Sequence, residues 1–136
     1  MVSGDTLQED LINSAVPQTL WQKIYLHLSK LGYEVYAPGQ KRDKCANSYV
    51  VIKEEGGNSM DDGNVNGYRT FDIIIYHPID MYSSMEPYAE NIKAALVDIK
   101  ELRPTGNQTP SITDDEIQAY TTSFSYQQFK QLRRIN

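Results

Sequence analysis

Two stretches of this sequence carry residue types and spacings that could do chemistry. In Asp62-Gly63-Asn64-Val65-Asn66-Gly67, oxygen-bearing side chains alternate and glycine permits a sharp turn, as in the first half of a calcium loop. The second half departs from that pattern. Ile73 stands where a bidentate Glu is required, and the residues after Gly67 read as a strand, so the run is read as a turn tolerant of positive φ. The other stretch is Asp98-Ile99-Lys100, which with Asp72 or Asp80 supplies the spaced carboxylates and lysine of magnesium-dependent phosphodiester cleavage. That chemistry needs the acids on adjoining strands, whereas Asp98 and Lys100 fall on the exposed side of a predicted helix. His27 and His77 have no partner at ligand spacing, and neither can be tied to a Ser or Cys nucleophile. Gly56-Gly57 lacks the lysine and helix start of a phosphate-cradling loop. The chain therefore reads as a non-enzyme with no catalytic residue, no metal and no cofactor.

Bulk properties point the same way. At 136 residues the chain has the length of one ordinary domain, and 40% hydrophobic with 23% charged residues is the balance of a soluble globular protein. Cys45 is alone, so there is no internal disulfide. Met1 to Asp10 carries acids without an apolar core of signal-peptide length, and no stretch approaches a bilayer span. Synthesis in the cytoplasm, without export or membrane insertion, is the expectation. A net charge of -5 disfavours a nucleic-acid-binding module, because such affinity rests on neutralising phosphates with Lys and Arg. Charge is also uneven along the chain. Asp114, Asp115 and Glu116 form an acidic knot and Lys130, Arg133 and Arg134 a basic end, two patches that could pair between neighbouring subunits or simply be solvated.

The elements that must position these residues follow from periodicity. Val16, Leu20, Ile24, Leu28 and Leu31 recur at helical spacing, with Pro17 in the first turn and Gly32 as terminator. Tyr33 to Tyr36 predicts a short strand stopped by Ala37-Pro38-Gly39. Ser48 to Lys53 and Tyr68 to Tyr76 predict two stronger strands joined by a long flexible hairpin loop, residues 55–67. Ser83 to Leu102 reads as a second helix capped by Ser83 or Ser84, Arg103 to Thr113 as a loop, and Ile117 to Tyr126 as a final strand. The expected architecture is a single α+β domain, an about four-stranded mixed or antiparallel sheet with two helices on one face, preceded by an N-terminal arm, residues 1–15.

The hairpin strands are apolar on both sides. Val50, Ile52, Phe71, Ile73 and Ile75 can face the helices, which turns Tyr49, Val51, Ile74 and Tyr76 the other way. Two helices shield one face only, so burial of the second against another subunit is expected, with closure by the N-terminal arm as the alternative. On this reading Ile73→Asp unfolds the domain and Ile74→Asp mainly disrupts association.

The second half of the chain resembles a known family. Tyr68-Arg69-Thr70-Phe71-Asp72-Ile73-Ile74-Ile75-Tyr76-His77-Pro78, a helix with Glu86-Pro87-Tyr88, then Arg103-Pro104-Thr105-Gly106-Asn107-Gln108-Thr109-Pro110 and a closing strand are similar to tail terminator, or tail completion, proteins of tailed bacteriophages. The similarity spans roughly residues 16–132 and involves no catalytic motif. It implies a lambda-type tail terminator fold and a virion protein of the neck, assembled in the host bacterial cytoplasm as a homo-oligomeric ring, usually a hexamer. Such a ring caps the tail tube protein, ends polymerisation and faces a head-side connector or collar protein, with a sheath where the tail contracts and DNA passing through non-specifically. The same parts occur in headless tail-like bacteriocins, and another neck role, connector or stopper, is the neighbouring alternative. Under this implication the candidate ring and tube contacts are Tyr49, Val51, Ile74 and Tyr76 on the sheet, Gly57, Asn64 and Asn66 in the hairpin, and Arg133 and Arg134 at the basic end.

Overall fold

The computed structural model describes residues 16–59 and 66–131, with strand residues 56–59, 66–68 and 129–131 described by backbone alone. The chain is α+β. In order it forms α1 (Leu20–Lys30), β1 (Val35–Tyr36), β2 (Tyr49–Ser59), β3 (Asn66–Pro78), a 3-10 turn (Tyr82–Ser84), α2 (Met85–Leu96), β4 (Leu102–Gln108), β5 (Ile112–Asp114) and β6 (Ala119–Gln131). The six strands make one mixed sheet in the order β1-β2-β3-β6-β4, with β5 also on β6. Among the described strand pairs, only β1 with β2 is parallel.

α1 begins four residues later than expected, because Thr19 provides what Pro17 cannot. The Thr19 hydroxyl accepts from the Gln22 amide N–H at 3.1 Å, and the Gln22 side chain accepts back from the Thr19 N–H at 3.3 Å, a capping box that satisfies two orphan donors. Val16 therefore lies outside the helix and is 81% exposed rather than part of its stripe. At the other end Gly32 adopts φ +97°, which lets Tyr33 N–H reach the Leu28 carbonyl and Gly32 N–H the Ser29 carbonyl.

Beyond α2, two expectations are corrected. The helix stops at Leu96 instead of running to Leu102, and the segment expected as a loop contributes β4 and β5. Both changes have one cause. β6 pairs with β3 along one edge, and its other edge would leave a row of unpaired backbone groups, which β4 and β5 cover. Pro104 and Gly106 are tolerated there because β4 is an edge strand, and register slips between Pro104 and Gln108. Within that irregularity the Thr105 hydroxyl donates to the Ser125 carbonyl at 3.2 Å, a side chain standing in for a ladder bond. The sheet thus has six strands rather than about four.

The main core lies between the sheet and both helices. Leu20, Ile24 and Leu28 from α1 and Ala89, Ile92 and Leu96 from α2 bury Val50, Ile52, Phe71, Ile73, Ile75, Phe124 and Tyr126. The helix-facing side of the hairpin is the one the alternation predicts. α1 is pinned further by its indole: Trp21 Nε1–H donates to the Ile52 carbonyl at 2.8 Å, and Lys23 Nζ reaches Glu101 at 2.7 Å.

Because the capping box is exposed and local, Thr19→Ala is expected to lower stability by about 1 kcal/mol without changing the fold. Urea denaturation followed by far-ultraviolet circular dichroism measures this, and an unchanged midpoint would remove the box from the account of α1.

Candidate functional site

The sheet face turned away from the helices is where the candidate contacts were placed, and it divides into two halves. Near the ends of β2 and β3 it is apolar and closed by the chain itself. The segment from Ala37 to Ser48 folds back over it: Pro38 and Gly39 make a turn, with Gly39 at φ +84° and Gln40 N–H on the Ala37 carbonyl, and Cys45 N–H then bonds the Ile117 carbonyl at 2.6 Å. Beneath this segment Cys45, Tyr49, Val51 and Ala119 form a second buried cluster, against which Tyr36, Ile74, Tyr76 and Ile117 pack. The Tyr49 ring stacks on Tyr76 at 4.8 Å and meets Tyr36 edge-on at 5.5 Å. Burial pushes the Cys45 thiol up to about 11 and raises the Tyr49 and Tyr76 phenols, so all three stay protonated near neutrality.

This corrects the expectation of a second face left open for another subunit. Tyr49 is 1% exposed and Val51 8%, so neither offers surface to a partner in this conformation. The covering segment was read as a charged loop, and its single buried anchor, Cys45, has no periodic partner that would reveal it in sequence. Ile74 and Tyr76 are half-buried at the margin of the cluster.

The other half of the same face is polar. Along β6, Thr121, Ser123, Ser125 and Gln127 stand opposite Tyr76, Ile74, Asp72 and Thr70 of β3, and Asn107 and Thr109 border them. Lys53 lies directly across from Asp72. Past Phe71 and Tyr126 the strands continue. The pairs Arg69↔Gln128 to Asn66↔Gln131 join β3 to β6, and Gly57↔Arg69 to Ser59↔Gly67 join β2 to β3, so three strands extend as an arm. At its base the helix-side positions hold Arg69 and Glu54, 3.5 Å apart, instead of core residues.

The arm replaces most of the expected hairpin loop. Gly57 and Asn66 are strand residues, because pairing on both sides of β3 outweighs the weak strand preference of Gly and Asn. Asn64, Arg133, Arg134, the N-terminal arm 1–15 and the loop centre 60–65 lie outside the described residues.

Among the described residues, the nuclease-like set is not brought together. Of the calcium-like run only Asn66 and Gly67 are described, both held in β3. Asp72 points to the face opposite the helices, whereas Asp98 lies on the helix side 3.7 Å from His27, so the sheet separates the two acids of the nuclease-like set. Among the described residues no group of three His, Cys, Asp or Glu side chains is placed to hold a metal ion. Asp114 ends β5, and Asp115 and Glu116 begin the turn into β6.

Sequence reasoning missed the role of His77. It is 2% exposed; its Nδ1 lies 2.6 Å from Ser48 Oγ, and its Nε2 lies 2.8 Å from both the Met81 carbonyl and Ser84 Oγ. A carbonyl only accepts, so Nε2 carries the proton and Nδ1 accepts from Ser48. Ser84 is thereby engaged as a strut between β3 and the 3-10 turn and makes no side-chain cap of α2. The Ser48–His77 contact has the elements of a base and a hydroxyl, but an imidazole so deeply buried cannot meet substrate. No sequence spacing announces a node whose members lie 7 and 29 residues apart.

No protein-family model matches this sequence, and no curated protein does.

His77→Phe keeps the ring volume but leaves Ser48 Oγ without its partner, while the Met81 carbonyl keeps its bonds from Ser84, with an expected loss of about 1–2 kcal/mol in urea unfolding. Ile73→Asp is expected to abolish folding, a loss above about 4 kcal/mol, and Ile74→Asp to cost about 1–3 kcal/mol through the Cys45 cluster. Equal losses at Ile73 and Ile74 would mean that the faces are assigned wrongly.

Proposed function

We propose that this chain is a non-enzymatic structural protein of the tail terminator type. In this reading it forms a homo-oligomeric ring, a hexamer, that caps the tail tube, ends polymerisation and joins the tail to the head-side connector or collar. The observation that carries the reading is the three-stranded arm. The strands of the arm continue well beyond the helices' main contacts at Phe71 and Tyr126, and such strands are suited to reach a neighbouring subunit. The likeness of residues 68–78, 86–88 and 103–110 to tail terminator proteins supports the same role. With Tyr49 and Val51 buried within the chain, the ring contacts fall to the arm and to the polar half of the sheet, while Ile74 and Tyr76 contribute at its margin. A virion location, with DNA passing non-specifically, follows from this role, and a net charge of -5 suits a conduit wall that does not retain phosphate.

Negative-stain microscopy of the purified protein, with and without isolated tail tubes, tests the proposal. Rings in solution or on tube ends are the expected result, and a monomer indifferent to tubes overturns it. Capture by portal protein instead of tube protein would reassign the chain to another neck position. Magnesium-dependent cleavage of plasmid DNA that disappears in Asp98→Ala would replace the assembly role with a hydrolase.

A further inference from the structure

The polar half of the outer sheet face holds a cleft. It is open, of about 370 Å³, and is lined by Asp72 of β3, Ser123 and Ser125 of β6, and Asn107, Gln108 and Thr109 where β4 ends. Its walls are tied together from within. Thr109 N–H donates to the Ser123 carbonyl at 2.9 Å, Ser123 N–H returns a bond to Thr109 Oγ1 at 2.9 Å, and the Thr105 hydroxyl donates to the Ser125 carbonyl at 3.2 Å. Gln108 spends its side chain on Lys93, 2.6 Å away. Asp72, set directly across the strand pair from Ser125, is the single charged residue of the lining. Among the described residues no salt bridge engages it, and its cross-strand neighbour Lys53 pairs with Glu55 at 3.4 Å. Desolvation raises its carboxyl above the ordinary carboxylate range, so a cation delivered into the cleft favours the charged form. What the cleft offers is a set of acceptors, a carboxylate flanked by serine hydroxyls and the Asn107 carboxamide.

We propose that this cleft receives the guanidinium of Arg133 or Arg134 from the C-terminal end of a second copy of the chain. The inference deepens the ring reading and rests on it. Arginine fits better than lysine, because its planar fork meets a carboxylate in two parallel bonds and still has N–H groups for Ser125 and Asn107. Charge selects the segment. Of the three stretches outside the described residues, 1–15 and 60–65 contain acids and no Lys or Arg, whereas 132–136 contains Arg133 and Arg134 and no acid. Reach selects the copy. β6 carries the chain away from the cleft, and Gln131 lies six residues beyond Ser125, roughly 20 Å along the strand. Arg134 follows only three residues later, about 10 Å of extended chain, before any residue is spent on reversing direction. An end that falls short of its own cleft is placed to meet a neighbour's. The contact joins two different patches, the end of one copy and the cleft of the next, and such a head-to-tail contact closes into a ring when its rotation allows.

A synthetic peptide spanning Phe129 to Asn136, added to the full chain carrying Arg133→Gln and Arg134→Gln, tests the docking without competition from the protein's own ends. Two-dimensional amide NMR is expected to show saturable shifts at Asn107, Ser123 and Ser125. Adding Asp72→Asn to the protein, or replacing both arginines of the peptide by glutamine, should weaken binding at least about tenfold. The second comparison leaves the folded protein untouched. Absence of binding, binding that Asp72→Asn leaves unchanged, or saturation of the cleft by a peptide of residues 1–15 instead overturns the proposal. In the otherwise wild-type chain, Asp72→Asn and the paired Arg133→Gln and Arg134→Gln are each expected to lower the yield of rings. Rings at wild-type yield in both overturn the docking and leave the assembly reading intact. Peptide held at the cleft by a protein that never forms rings upholds the docking and overturns the assembly reading.

Discussion

The pairing of β3 with β6 is the constraint on which the rest of the molecule depends. These strands run antiparallel from Pro78↔Ala119 to Asn66↔Gln131, a ladder of roughly 40 Å. β2 attaches to one side of it, β4 and β5 to the other, and β1 joins the sheet through β2. Its inward residues, Phe71, Ile73, Ile75, Phe124 and Tyr126, anchor both helices. Since β3 and β6 lie far apart in sequence, non-local contacts dominate its folding.

The same ladder explains why one molecule has two kinds of surface. Over part of its length apolar residues emerge on both sides, and the chain closes each side by a different device: helices on one, the Cys45 segment on the other. Further along, the outward residues change to Ser, Thr and Gln, and then the helical layer ends altogether. Among the described residues, the uncovered half of this sheet face is therefore mainly polar. A partner that binds there gains chiefly from hydrogen bonding and shape, a mode that gives geometry and register more than sheer affinity.

Much of this was legible in sequence. The alternation of Val50 and Ile52 with Tyr49 and Val51, and of Ile73 and Ile75 with Ile74 and Tyr76, assigned the two faces correctly, because each side chain's direction follows from the pleat. Ile24, Leu28, Ile92 and Leu96 were recognisable as core by helical spacing. The failures share a cause: they concern segments whose structure is imposed by partners distant in sequence. Leu102 to Gln108 has proline, glycine and asparagine, so local propensity reads loop, while the vacant edge of β6 makes it a strand. Residues 55–59 and 66–67 fail likewise. The closure of the second face rested on one cysteine in a charged stretch, which no pattern of period two or 3.6 can signal. Of the candidate contacts, Tyr49 and Val51 were placed on the right face but misjudged as free.

Trp21 has a consequence of another kind. It is the sole tryptophan of the chain, lies parallel to Tyr25 with centroids 5.4 Å apart, and spends its indole N–H on the Ile52 carbonyl at the outer edge of β2. That bond occupies a carbonyl that an unrelated strand would otherwise use to extend the sheet, so the indole acts as a guard against runaway stacking into fibres. It also gives the protein a built-in optical gauge: emission from the single indole, excited selectively over the tyrosines and seated at the seam between helix and sheet, reports whether that seam is shut.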